Sequence, residues 1–242
     1  MLLSIIIPCY NEKDTIREII NKINDTNILG YKKEIIVIDD NSTDGSSLIL
    51  DEILNDNKIS KLIKNDKNYG KGFSIRKGIE FSSGDIILIQ DADLEYDPAD
   101  YNKLLEPIKE GYADVVYGSR FLGSSKVRVL YYWHSLGNYF LTLLSNMLTN
   151  INLTDMEVCY KAFKSSILKD INLKENRFGF EPEVTAKISK VKNLRIYEVS
   201  INYYGRKYSD GKKITWKDGF SAIRCIVKYN LIEYFNENKK VI

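Results

Sequence analysis

Short apolar runs alternate with helical patterns through the first half of the sequence, and this rhythm constrains the fold more than any other feature. Residues 2–7, 34–38 and 85–89 are β-branched runs of the kind that form buried strands, with weaker runs at 59–63 and 113–116. Between them, apolar residues recur three or four positions apart, as on one face of a helix. We therefore predict an α/β fold in which a mostly parallel sheet carries helices on both faces.

Two helical patterns make specific predictions about burial. In the second helical segment, the expected buried residues are Leu48, Ile49, Ile53 and Leu54. In the second half, an apolar face at helical spacing is formed by Leu136, Phe140, Leu143, Met147 and Ile151. No internal repeat or low-complexity linker interrupts the 242 residues, so we expect one continuous domain, 1–242.

Charge is unevenly divided along the chain, although the net charge is only +2. Residues 1–100 hold 12 basic and 19 acidic residues, a balance of −7, and residues 101–242 hold 23 and 14, a balance of +9. An acidic first half suits a metal site, and a basic second half suits phosphates or anionic lipid. Solvated helix faces that happen to differ in charge explain the asymmetry equally well.

Cysteine and histidine usage excludes several classes of protein. Three cysteines at unrelated spacings argue against a disulfide framework or a zinc site, and favour a reducing compartment. The single histidine, His134, nearly excludes a histidine-based catalytic triad. No stretch approaches the roughly 20 apolar residues that span a bilayer. These features predict a cytoplasmic protein, with attachment to the inner face of the membrane as a further option.

The pair of aspartates at 91 and 93 is the most informative group for chemistry. Asp91 and Asp93 directly follow an apolar strand, and residues two apart in an extended chain point to the same side. With Glu95 they offer the hard oxygen ligands that Mg²⁺ or Mn²⁺ prefers. Burying unpaired carboxylates at this place would be costly, which favours a functional role over a solvated surface.

Two other polar clusters also follow apolar strands. The segment 39–45 carries Asp39 and Asp40, which are suited to a nucleobase or to ribose hydroxyls, although helix capping explains part of it. The segment 8–12 offers an aromatic ring and a carboxylate, or forms a simple turn. No dinucleotide-binding glycine motif or phosphate-binding lysine loop occurs, and the glycine pair in 68–72 is more typical of a loop and helix start.

The order of these clusters resembles that of the family 2 glycosyltransferases, which have the GT-A fold. The matching segments are I-I-I-P-C-Y-N-E at 5–12, V-I-D-D-N-S-T-D-G at 37–45 and Q-D-A-D at 90–93. Further segments resemble the dolichyl-phosphate mannose synthase branch: G-S-R at 118–120, T-D-M-E-V-C-Y-K-A-F at 154–163, F-G-F-E-P-E at 178–183 and Y-Y-G-R at 203–206 through Lys212. The resemblance spans the chain.

The resemblance implies a role for individual residues. It implies that residues 1–120 bind nucleotide sugar and metal, and that residues 121–242 bind the acceptor. Nucleotide-sugar contacts are implied for Pro8, Tyr10, Glu12, Ile38, Asp39, Asp40, Asp91 and Ala92. Metal ligands are implied at Asp91, Asp93 and Glu95, the last standing where the mannose synthases often have Gln. Basic groups facing the donor diphosphate and an acceptor phosphate are implied at Arg120, Arg206 and Lys212.

Asp155 matches the acidic position that is often the general base in the wider family. A hydroxyl acceptor needs such a base, whereas a phosphate acceptor is already ionised near neutral pH. Asp155 is therefore either catalytic or only orients a neighbouring group, and a helix cap is an equally simple explanation. The expected catalytic set is Asp93, Arg120, Asp155 and Arg206.

The resemblance implies an inverting, metal-dependent transferase that moves a hexose from GDP-mannose or a UDP-hexose to a dolichyl or undecaprenyl phosphate. The alternatives are transfer to a hydroxyl of a saccharide or protein, nucleotidyl transfer, and a non-catalytic protein that binds nucleotide sugar. Nucleic-acid binding is not expected, because the basic residues are mixed with acids. Lys126 and Arg128 precede three aromatic residues, 131–133, and an apolar helix, which suits a membrane surface. The same helix face would otherwise close the core.

Overall fold

Strands and helices alternate along the chain as predicted. The computed structural model describes residues 1–28, 30–123, 126–129, 131–206 and 216–233. The strands are β1 Leu2–Cys9, β2 Lys32–Asp39, β3 Lys61–Lys64, β4 Ile86–Ile89, β5 Val115–Ser119, β6 Lys161–Lys164 and β7 Ile196–Ser200. The helices are α1 Ile16–Asp25, α2 Ser46–Asn55, α3 Lys71–Phe81, α4 Tyr101–Lys109, α5 Tyr132–Thr149, α6 Ser165–Asp170, α7 Phe180–Ile188 and α8 Trp216–Val227. A 3₁₀ turn, Pro98–Asp100, precedes α4 and a π-helical turn, Lys228–Ile232, follows α8.

The seven described strands form one sheet in the order β3-β2-β1-β4-β6-β5-β7. Every pairing is parallel except those of β6, which runs antiparallel to both β4 and β5. The predicted α/β class with a mostly parallel sheet is confirmed. Because β6 runs in the opposite direction, its beginning lies at the edge of the sheet where β1, β2 and β4 end.

Helix α3 lies directly against the centre of the sheet, and a glycine permits this close approach. A Cβ atom on Gly78 would overlap Ile6 and would lie 2.9 Å from Ile38 Cδ1. Both isoleucines are fully buried. The side chain of Ile38 therefore belongs to the packing between α3 and the sheet.

The predicted face of α2 is wrong in part. The helix buries Ser46, Leu50 and Ile53, whereas Leu48 is 71% exposed. The buried positions are spaced by four and three residues, so they form one stripe that begins at the first residue of the helix. The apolar pattern alone did not determine where this stripe begins.

Helix α5 buries polar side chains and exposes apolar ones, which is the reverse of a typical core helix. Thr142 and Ser145 are buried, and the Thr142 hydroxyl accepts a hydrogen bond from the backbone N–H of Met156. The predicted apolar face, in contrast, leaves Leu136, Phe140, Leu143 and Met147 exposed. The alternative in which these four side chains close the core is therefore wrong, although Ile151 does pack against the core.

Substitution of Gly78 by Ala should destabilise the protein, with substitution of Gly137 as the matched control. Both glycines lie inside helices, but a Cβ on Gly137 would meet nothing within 4 Å. We expect Gly78→Ala to lower the free energy of unfolding by about 1–3 kcal/mol through overpacking. Gly137→Ala should raise it by up to roughly 1 kcal/mol through helix propensity. Urea unfolding measures both, and equal stabilities would contradict the close packing of α3.

Candidate active site

A cavity of about 340 Å³ opens at the edge of the sheet where β1, β2 and β4 end and β6 begins. Ten residues predicted from the sequence line it: Pro8, Tyr10, Glu12, Asp40, Asp91, Ala92, Asp93, Glu95, Arg120 and Arg206. Most of them follow parallel strands, because the carboxyl ends of such strands meet at one edge. The cavity is therefore the place where the predicted chemistry comes together.

Three predicted residues are placed elsewhere, and a fourth lies outside the described residues. Ile38 packs beneath α3, as described above. The carboxylate of Asp39 is buried and accepts a hydrogen bond of 2.9 Å from the backbone N–H of Ser42, so it shapes the turn after β2. Asp155 is fully buried and does not line the cavity. Lys212 lies outside the described residues.

Asp40 holds the loop that precedes α3. Its Oδ1 accepts hydrogen bonds from the Tyr69 N–H at 3.0 Å and the Asn65 amide at 2.7 Å, and its Oδ2 accepts one from the Gly70 N–H at 2.7 Å. Gly70 has a φ of +101°, a conformation that favours glycine. This anchored loop brings Lys71 into the cavity, although the sequence alone predicts no role for this residue.

Lys71 is paired with the first aspartate of the predicted metal-binding motif. Its ammonium lies 2.5 Å from Asp91 Oδ1, 2.7 Å from the Cys159 sulfur and 3.7 Å from Glu181 Oε1. Burial alone would lower the pKa of Lys71, but Asp91, Cys159 and Glu181 hold it well above its usual value. Lys71 therefore stays charged and balances the carboxylate of Asp91.

Arg206 contacts the other acidic residues of the cavity and balances their charge. Its guanidinium lies 2.7 Å from Asp93 Oδ2 and 3.1 Å from Glu12 Oε2, and its backbone N–H donates to Glu95 Oε1 at 2.7 Å. The Tyr203 hydroxyl donates to the other oxygen of Glu95 at 3.0 Å. The Nε of Arg206 is buried without a hydrogen-bond partner among the described residues. One arginine thus contacts three carboxylates and still has a donor to offer.

The acidic cluster has the chemistry of a divalent-cation site but is not assembled as one. Burial, together with the negative charges of Asp91 and Glu95, raises the pKa of Asp93 to about 7, and Arg206 offsets this only in part. Three carboxylates this close are suited to a hard cation such as Mg²⁺ or Mn²⁺. In the part of the chain that is described, however, no three acidic, cysteine or histidine side chains form a ready-made ligand set. Lys71 and Arg206 hold these carboxylates instead.

Arg120 and Asp155 form a buried, bidentate ion pair. The guanidinium donates to the two carboxylate oxygens at 2.6 Å and 2.7 Å, and the Asn138 amide also donates to Asp155 at 3.2 Å. Burial would lower the pKa of Arg120, but the carboxylate of Asp155 raises it well above its usual value. Both oxygens of Asp155 are therefore engaged, and Arg120 is the member of the pair that lines the cavity.

Several residues that line the cavity were not singled out from the sequence. They are Asn68, Lys71, Tyr96, Glu157, Cys159, Arg177, Phe178 and Tyr203, among others. Glu157, Cys159, Phe178 and Tyr203 lie within segments that carry the family resemblance, but the resemblance assigned them no role. Only their position in the fold distinguishes them from neighbours that face the core.

The fold is shared with solved nucleotide-sugar enzymes. The crystal structure of glucosyl-3-phosphoglycerate synthase from Mycobacterium tuberculosis in complex with Mn²⁺, UDP and glucosyl-3-phosphoglycerate superposes with a TM-score of 0.73. The match covers 94% of this chain and 79% of that one, at 17% sequence identity. The same enzyme bound to Mn²⁺ and UDP-glucose gives a TM-score of 0.72. The expected GT-A fold is confirmed.

The chain belongs to glycosyl transferase family 2, because the model of that family matches residues 4–171. Dolichol-phosphate mannosyltransferase from Pyrococcus furiosus is 28% identical over 244 residues, covering all of this chain and 67% of that protein. Undecaprenyl-phosphate 4-deoxy-4-formamido-L-arabinose transferase from Proteus mirabilis is 27% identical over 86% of this chain. This chain covers 62% of the Proteus protein.

In the described ranges, no helix has both the length and the apolar character needed to cross a bilayer.

Substitution of Arg206 by Gln should strengthen the binding of Mn²⁺ in the absence of nucleotide. The change removes the resident cation from three carboxylates, so we expect affinity to rise about tenfold, which corresponds to roughly 1.4 kcal/mol. Free Mn²⁺ can be measured by electron paramagnetic resonance during titration. Arg128→Gln is the matched control, because Arg128 donates to the Gly205 carbonyl in the same loop. Unchanged or weaker binding in Arg206→Gln would show that Arg206 does not compete with a metal.

Proposed function

We propose that this chain is an inverting glycosyltransferase that moves a hexose from a nucleoside-diphosphate sugar to a polyprenyl phosphate. The observation that carries the proposal is that carboxylates and paired basic groups converge on one cavity in a family 2 glycosyltransferase. The names of relatives that act on dolichol phosphate and undecaprenyl phosphate support the acceptor class. The structural neighbours bound to UDP support a nucleotide-sugar donor.

The donor would lie along the edge of the sheet. Pro8, near the end of β1, and Tyr10, just after it, offer an apolar and aromatic surface for the nucleoside. Asp91, Asp93 and Glu95 would hold a divalent metal, which would neutralise charge on the departing diphosphate. The Nε of Arg206, which has no hydrogen-bond partner among the described residues, is a donor suited to a phosphate oxygen in the same region.

The surroundings of Asp155 favour a phosphate acceptor. A hydroxyl acceptor needs a base that can take its proton, but both oxygens of Asp155 are bound to Arg120 and Asn138. An acceptor phosphate arrives ionised and needs no such base. Arg120, held in place by Asp155, would then present its charge to the incoming phosphate.

Transfer would be a single displacement. The acceptor oxygen attacks C1 of the hexose from the face opposite the diphosphate, and the new C–O bond forms as the bond to the diphosphate oxygen breaks. The electron pair leaves with the nucleoside diphosphate, and the configuration at C1 inverts. Positioning of the two reactants and stabilisation of the leaving group supply the rate, without a covalent intermediate on the protein.

Substitution of Asp93 by Asn should reduce transfer about 10²–10³-fold, because it removes one preorganised charge from the site. The assay supplies UDP- or GDP-hexoses, Mg²⁺ or Mn²⁺, and a short polyprenyl phosphate, and follows release of nucleoside diphosphate. Asp97→Asn is the control, since Asp97 caps the 3₁₀ turn through the Ala99 N–H and does not line the cavity.

The products released in this assay distinguish the proposed reaction from its alternatives. Release of nucleoside diphosphate that depends on polyprenyl phosphate supports it. Release of pyrophosphate would indicate nucleotidyl transfer, and transfer to a saccharide or protein hydroxyl would replace the acceptor. Binding of the donor without turnover under any condition would indicate a non-catalytic protein.

We also propose that α5 attaches the protein to a membrane surface, where a polyprenyl phosphate would be found. The 18 residues of α5 include no acidic residue, lysine or arginine, yet Trp133, Phe140 and Met147 are exposed by 77%, 52% and 72%. Exposed Lys126 and Arg128 precede the helix. Aromatic rings at a polar boundary and cations for lipid head groups are typical of an interfacial helix.

The double variant Trp133→Ser/Phe140→Ser should bind anionic liposomes at least tenfold more weakly, because each lost ring removes apolar area from the lipid contact. Flotation at low and high salt measures this, and salt should weaken binding of the unmodified protein, since each basic residue contributes about 1 kcal/mol. Tyr112→Ser, at an exposed aromatic before β5, is the control. Equal flotation of the double variant and the unmodified protein would exclude α5 as the lipid contact.

A further inference from the structure

Glu157 lies on the segment that leads into β6, and its side chain lines the cavity. Because β6 is antiparallel to its neighbours, this segment reaches the edge of the sheet where the parallel strands end. Glu157 therefore approaches the cavity from a part of the chain far from the segments that would bind the nucleotide. Its surrounding sequence alone predicts no role for it.

The order of strands places Glu157 next to the acidic cluster. Asp40 follows β2, Tyr10 follows β1 and Asp91 follows β4, and the next strand across the sheet is β6. Neighbouring strands are about 4.8 Å apart, so these positions form a row along the edge. A donor that followed this row, with its nucleoside at β2 and β1 and its diphosphate at β4, would have its hexose at β6.

The carboxylate of Glu157 has an unused hydrogen-bonding capacity at this point. Its Oε1 is shielded from solvent and has no hydrogen-bond partner among the described residues. A buried polar atom without a partner is costly, and native structures keep few of them. Of the cavity-lining residues described, only Glu157 and Arg206 contain such an atom. Arg206 offers a donor, which suits a phosphate, and Glu157 offers an acceptor, which suits a hydroxyl.

The segment around Glu157 is held firmly by its neighbours. The buried ammonium of Lys161 donates to the carbonyls of Met156 and Val158, one on each side of Glu157. The Cys159 N–H donates to the Tyr96 hydroxyl at 3.4 Å. These contacts fix the backbone, and no described residue forms a hydrogen bond with Oε1, which is the arrangement of a preorganised binding group.

The positively charged groups near Glu157 do not outweigh the effect of burial on its pKa. Burial raises the pKa of Glu157 to about 8, and the negative charge of Glu181 adds to this, while Lys161 and Arg120 oppose it. Near neutral pH this carboxyl group is therefore largely protonated, so it can both accept and donate a hydrogen bond. A sugar hydroxyl has the same two capacities.

We infer that Glu157 recognises the hexose of the donor by a hydrogen bond to one of its hydroxyl groups, and so contributes to sugar specificity. This inference rests on the proposed function, because it assumes a nucleotide-sugar donor in the cavity. Glu157 would then contribute to binding of the hexose and not to binding of the nucleotide.

The test is the gain in affinity that the hexose adds to the nucleotide. Calorimetric titration gives Kd for UDP and UDP-glucose, and for GDP and GDP-mannose, with Mg²⁺ present, and the pair that the unmodified protein binds is used. Glu157→Met has a similar shape but no carboxylate. We expect it to weaken binding of the nucleotide sugar about tenfold and to change Kd for the nucleoside diphosphate less than twofold.

Thermal unfolding separates recognition from a structural role. Glu157→Met removes a buried atom without a partner, so Tm should stay the same or rise. Glu198→Met is the matched control, because Glu198 on β7 accepts hydrogen bonds from the backbone of Thr154 and Asp155 at the start of the same segment. It should lower Tm and leave the ratio of the two Kd values unchanged.

Three outcomes would overturn the inference. They are equal weakening of nucleotide and nucleotide sugar in Glu157→Met, no change in either Kd, and a loss of Tm as large as that of the control. Failure of the proposed function has a different signature. If the unmodified protein binds the nucleotide sugar but transfers nothing to polyprenyl phosphate, the acceptor is wrong, and a selective loss of sugar binding in Glu157→Met still supports the role of Glu157.

Discussion

Buried negative charge at the edge of the sheet is the constraint on which the rest of the site depends. Carboxylates that leave water must be paired, because an isolated buried charge is far more costly than a paired one. Here Lys71 pairs with Asp91, and Arg206 pairs with Asp93 and Glu12. These cations come from the start of α3 and from the segment after β7, so charge balance fixes how distant parts of the chain meet.

The same pairing explains how the cavity combines stability with readiness to bind. Each ion pair gives the protein alone a satisfied arrangement, yet every contact is one that a ligand can replace. A phosphate can take the place of a carboxylate at Arg206, and a cation can take the place of Arg206 at Asp93. On binding the proposed donor and metal, the site would exchange one set of charged partners for another without leaving a buried charge unpaired.

The sequence predicted the sheet and much of the cavity for physical reasons. Strands buried on both faces are continuous apolar runs, and the polar residues that end them must lie at one edge, which is where Asp91 and Asp93 line the cavity. The sequence did not reveal Lys71 or Glu157, because only the fold brings these two side chains to the cavity. It also did not reveal that Asp155 is enclosed by Arg120. Periodicity showed that α5 has an apolar face but not that the face points outward.

The reversed direction of β6 has a consequence for how such enzymes diversify. Nucleotide and diphosphate would be bound by segments that end β1, β2 and β4, whereas the hexose would be bound by the short segment that enters β6 from elsewhere in the chain. The residues that would bind the two halves of the donor are thus encoded in separate stretches of the gene. With the hexose bound as proposed, substitutions in 156–160 would alter the sugar that is accepted while the nucleotide-binding loops stay unchanged, and new donor specificities would need only a few local changes.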